Sequence, residues 1–67
     1  MANNVIKIRY DIEKAEACKV KFHPQMVMMD MAYKPTKFIA DRENNCWIFE
    51  VEQVIEPLPP YLSVEDQ

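Results

Sequence analysis

Cys18, His23 and Cys46 are the residues whose types first invite chemistry, since a thiol with an imidazole is the minimum for a reactive nucleophile and both are metal ligands. Three soft ligands are too few to close a structural zinc site, and their spacing matches no paired-cysteine knuckle, so neither a metal nor a cofactor is expected. If residues 17–23 run as a strand, Cys18 and His23 project from opposite faces and cannot hydrogen-bond. Cys46 falls on the polar face of its own strand and Cys18 on the apolar one, which disfavours a disulfide between them. Glu50 and Glu52 share a strand face, as paired carboxylates for general acid–base chemistry must, yet a lysine across the hairpin suits them equally to a salt bridge. The chain has no glycine, and therefore no phosphate-cradling loop. The expectation is a protein without enzymatic activity.

Two further groups point to binding instead. Lys7, Arg9, Lys19 and Lys21 would project from one face of two early strands as a basic patch for nucleic acid, but Tyr10 and Phe22 point the other way, leaving no stacking platform among the charges. The stretch "QMVMMDMAY", residues 25–33, holds four of the five methionines. Methionine adapts to irregular partners, and a run that is apolar on both sides has one side to spare in a small domain. Met26, Met28, Met29 and Met31 are the expected protein interface, with Glu50 and Glu52 as secondary contacts.

The elements that must position these groups follow from size and pattern. Sixty-seven residues make one small domain, which buries only roughly 60% of its unfolded surface on folding. A hydrophobic content of 49% with one Trp, three Phe and three Tyr supports a folded core rather than disorder. Residues 1–40 carry seven basic and four acidic side chains, whereas 41–67 carry one and seven, so the two parts are expected to pair internally. No apolar run reaches the length of a bilayer span, and the first residues show no basic segment leading into an apolar one, so a cytoplasmic location is expected, with no membrane contact.

"RENNCW" predicts a hairpin over about 36–54, with Asn44 and Asn45 in the two left-handed positions of a tight turn. That register pairs Arg42 with Trp47, Phe38 with Val51 and Lys37 with Glu52. It gathers Phe38, Ala40, Trp47, Phe49 and Val51 on one face. "VIKIRYDI" and "CKVKF" alternate as strands, although "EKAEA" between them is made of helix formers and offers a helix over about 12–21. Pro24 and Pro35 bracket the methionine run, which reads as a strand or as a helix over about 24–33 with Pro24 in its first turn. Strand starts near 4, 17, 26, 36 and 46 give a mainly β fold, a small antiparallel sheet or barrel of about five strands, with α+β as the alternative. Residues 1–56 form the domain. The Pro-rich segment 57–67, "PLPPYLSVEDQ", is expected to be an extended or mobile tail.

The function these features favour is a non-catalytic protein-binding module, an accessory or inhibitor protein acting through its methionine-rich surface. A nucleic-acid-binding regulator using the basic strand face and a homodimeric structural subunit are the alternatives.

Overall fold

The alternation of Ile6, Ile8 and Tyr10 with Lys7, Arg9 and Asp11 forms strand β1 (Ile6–Asp11), the first element of a computed structural model that describes residues 5–65. Helix α1 (Ile12–Ala17) follows without a break, because the Asp11 carboxylate caps it, accepting from the Lys14 amide at 3.1 Å. Helix α2 (Pro24–Asp30), strands β2 (Lys37–Asp41) and β3 (Cys46–Val51), and strand β4 (Leu62–Glu65) follow among the described residues.

The four strands form one antiparallel sheet in the order β2-β3-β1-β4. Residues directly opposite share a face, so pairing Ile8 with Phe49 and Val64, and Tyr10 with Trp47 and Leu62, sorts the sheet cleanly. On one face Ile8, Tyr10, Phe49, Val51 and Leu62 meet Ala15 of α1, Val27 and Met28 of α2, and Tyr33 in a single core. The opposite face carries Lys7, Arg9 and Asp11 of β1, Cys46, Ile48 and Glu50 of β3, and Ile39 of β2. The molecule is thus a mainly β, α+β open sheet with two short helices on one side.

Several expectations need correction. The small antiparallel sheet forms as expected, with four strands among the described residues where about five were anticipated, and it is the open sheet rather than the barrel of the two forms expected. The strand expected at 17–23 does not form: the helix alternative prevails, but it stops at Ala17, four residues before its expected end. Lys19 adopts φ 62° just beyond, with its amide bonded to Glu16 O and the Val20 amide to Ala15 O, the paired bonds of a Schellman ending. The methionine run is helical, with Pro24 in the first turn and His23 Nδ1 accepting from the Gln25 amide at 3.1 Å. This helix ends in the same way, through Ala32 at φ 71°, with bonds from Ala32 N to Met29 O and Tyr33 N to Met28 O.

The hairpin forms over β2 and β3, shorter than expected and with its register moved by two residues. Lys37 faces Glu50 rather than Glu52, Phe38 faces Phe49 rather than Val51, and Ala40 rather than Arg42 faces Trp47. Because side chains alternate with period two, an even shift leaves the face assignments intact. Its cause is Asp41, which accepts from the Asn44 amide at 3.3 Å and the Asn44 side chain at 2.9 Å, closing a four-residue turn in which only Asn45, at φ 54°, is left-handed. Residues 57–61 are not the start of a separate tail. They lead into β4, which pairs with β1 and buries Leu62 in the core. The strand start expected near residue 4 and the last two residues of the chain lie outside the described residues.

Candidate functional site

Helix α2 divides the methionine run between inside and outside. Val27 and Met28 point into the core, Met28 with 0% exposure, while Met26 and Met29, three residues apart and so neighbours on the helix surface, are 57% and 65% exposed. Met31, the C-cap, is half-buried against the core. Phe22, just before the helix, is 68% exposed. Phe22 is expected on the apolar face of a strand, but no strand forms there and nothing draws its ring inward.

The Met26–Met29 ridge has an open groove on either side. One, of about 480 Å³, is lined by Phe22, Met26, Val20, Met31 and Tyr61, with Lys19, Lys21 and Asp30 among its polar residues. The other, of about 390 Å³, lies toward β2 and is lined by Met29, Tyr33, Pro35 and Phe38, with Lys34. Phe38 keeps its expected place on the apolar face of the hairpin but is 43% exposed, because β2 is an edge strand with no neighbour on its outer side among the described residues. The helix is anchored by His23, whose ring meets Trp47 edge-on at a centroid distance of 5.3 Å.

The remaining candidate residues lie elsewhere. Glu50 sits near one end of the open sheet face, opposite Lys37 on one side and Lys7 on the other, and Lys7 in turn faces Glu65. These four positions form a row of alternating charge across all four strands. Glu52 lies beyond the end of β3, exposed, so Glu50 and Glu52 do not join the methionines in one surface. The basic set is split too: Lys7 and Arg9 project from the open face, whereas Lys19 and Lys21 belong to the connection between α1 and α2 on the helical side.

Arg9 has neighbours of its own. The Asn44 side chain, more than Arg9, holds the Asp41 carboxyl below the usual carboxylate range, with burial opposing. Burial pushes the Cys46 thiol up, with Arg9 opposing. Cys46 keeps the expected strand parity with Glu50, yet it is fully buried; Cys18 is exposed, and both thiols are free. Among the described residues no three of His, Cys, Asp and Glu gather as metal ligands, and no helix is long and apolar enough to cross a membrane.

The chain matches no protein-family model, no curated protein and no solved structure. A functional reading therefore rests on the surface just described.

Proposed function

We propose that this chain is a non-catalytic protein-binding module that presents Phe22, Met26 and Met29 to an apolar segment of another protein. One observation carries the reading: three large apolar side chains, each more than half exposed, stand on one short stretch of the chain outside the core cluster. Leaving their exposed parts in water forgoes about 1–2 kcal/mol apiece of attainable burial, and contiguous apolar patches mark interaction sites. Lys19 and Lys21 beside the first groove favour a partner segment with acidic residues next to its apolar anchor. An accessory or inhibitor protein in the cytoplasm, where exposed thiols such as Cys18 stay reduced, fits these properties.

The test is quantitative capture from lysate, with and without nuclease treatment, using tagged natural chain and Phe22→Asp and Met26→Asp variants shown to be folded by circular dichroism. A protein retained in stoichiometric amount by the natural chain, lost with both variants and little changed between about 50 and 200 mM salt, supports the proposal. Retention that the variants do not alter overturns it. So does recovery of nucleic acid with a steep salt dependence, which would favour a regulator acting through Lys7, Arg9, Lys19 and Lys21.

A further inference from the structure

We infer that the outer edge of β2 pairs with β2 of a second copy of this chain, antiparallel and centred on Ile39, joining two sheets of four strands into one continuous sheet. The inference does not rest on the partner surface proposed above, with which it shares only Met29.

The two edges of the sheet are guarded unequally. Strand β4 is four residues long and is entered through Pro59 and Pro60. Strand β2 is also preceded by a proline, Pro35, but it is the longer edge, five residues whose register runs unbroken from Lys37 opposite Glu50 to Asp41 opposite Cys46. Lys37 through Ala40 are all exposed, and Ile39 keeps 45% of its surface in water on the open face. A regular edge that exposes apolar side chains between its terminal charges is a feature that natural sheets blunt further unless they use it.

The occupant is identified by the sequence of the edge itself. In "KFIAD", a two-fold axis through Ile39 sets Lys37 of each copy against Asp41 of the other, Phe38 against Ala40, and Ile39 against Ile39. Both ends become opposite-charge pairs, and the smallest side chain faces the largest. Moving the register by two residues destroys this match, since Ile39 then faces Lys37 or Asp41; moving it by one places core-face residues opposite open-face ones. Asp41 already accepts from Asn44, and its carboxylate retains lone pairs for a lysine ammonium. The axis is perpendicular to the sheet, so both helical layers fall on one side. The two grooves that contain Met29 and Phe38 then approach across the axis, while the groove at Phe22 and Met26 stays open.

The experiment is sedimentation equilibrium of the full chain from micromolar to several hundred micromolar, with Ile39→Lys and Ile39→Glu variants measured alone and as an equimolar mixture. The natural chain is expected to reach twice its 8.0 kDa mass. Each variant alone should weaken self-association by about tenfold or more, because like charges meet on the axis, and the mixture should restore it. A natural chain that stays monomeric overturns the inference, as does a dimer indifferent to both variants. Should either variant fail to fold, amide exchange of the natural chain decides. Protection of β2 amides that rises with protein concentration supports the pairing, and protection that does not change overturns it. Phe22→Asp and Met26→Asp should leave self-association as it was, which separates this result from that of the partner surface.

Discussion

The Tyr33 hydroxyl and the backbone of Ile55 bind each other twice, the hydroxyl donating to the Ile55 carbonyl at 3.1 Å and accepting from the Ile55 amide at 2.7 Å. Tyr33 closes the Schellman ending of α2, and Ile55 lies in the connection from β3 to β4, so one side chain ties the helical layer to the segment that delivers the last strand. Tyr33→Phe removes a single oxygen and leaves a part-buried donor and acceptor without their partner. We expect a loss of about 1–3 kcal/mol in unfolding free energy, measured by urea titration; a change of a few tenths would mean that water replaces both bonds.

Met28 and Met29 are adjacent in sequence and opposite in fate. Met28→Ala should cost about 2–5 kcal/mol, the range for truncating a fully buried side chain, whereas Met29→Ala should stay within about 0.5 kcal/mol. Denaturation midpoints of the two variants side by side check the orientation of α2, and equal losses would contradict it.

Ala32 stands where glycine is the usual residue, at φ 71° just past the C-cap of α2. The left-handed conformation costs a residue with a Cβ about 1–2 kcal/mol, of which the greater freedom of glycine in the unfolded chain cancels part. Ala32→Gly should therefore raise stability, by roughly 0.5–1 kcal/mol. Thermal unfolding of this variant provides the measurement, and a lower midpoint would argue against the left-handed cap.

Burial raises the affinity of the Cys46 thiol for its proton in the folded chain, partly opposed by Arg9. A thiol of this kind contributes stability that is fully present below the unfolded thiol pKa of about 8.5 and is lost as pH rises beyond it. The unfolding midpoint should fall between about pH 8 and 9.5, and should fall less in Cys46→Ala, whatever that variant's stability at neutral pH. Above about pH 10 Tyr10, also raised by burial and by Tyr61, adds a loss of the same sign. In the native state at pH 8 a thiol reagent should modify Cys18 promptly and Cys46 only on opening of the fold.

Local pattern decided a definite part of this protein. The alternation in "IKIRYD" and in "CWIFEV", the division of side chains between the two faces of the β2–β3 hairpin, and Pro24 as a helix opener are all properties of neighbouring residues, and each survives in the structure. What local pattern left open was settled by contacts distant in sequence or by a single competing bond. Asp41 captured the backbone of Asn44 and lengthened the turn, shifting the register by two residues while leaving every face unchanged. The segment 12–17 became a helix because Asp11 capped it and because only Ile12 and Ala15 had to reach the core.

The candidate surface was legible only in part. Composition marked the methionines as apolar excess, but which of them face water depends on where α2 lies on the sheet, so Met28 was absorbed and Met26 and Met29 were not. Phe22 could not have been found from periodicity, because its exposure follows from the absence of a strand. Strand β4 was hidden for the opposite reason: "LSVE" is too short to show a period, and it is a strand because β1 offers it a free edge. The sequence by itself determined which side chains share a face. Only tertiary structure decided which faces are covered, since burial is a relation between elements that no single segment contains.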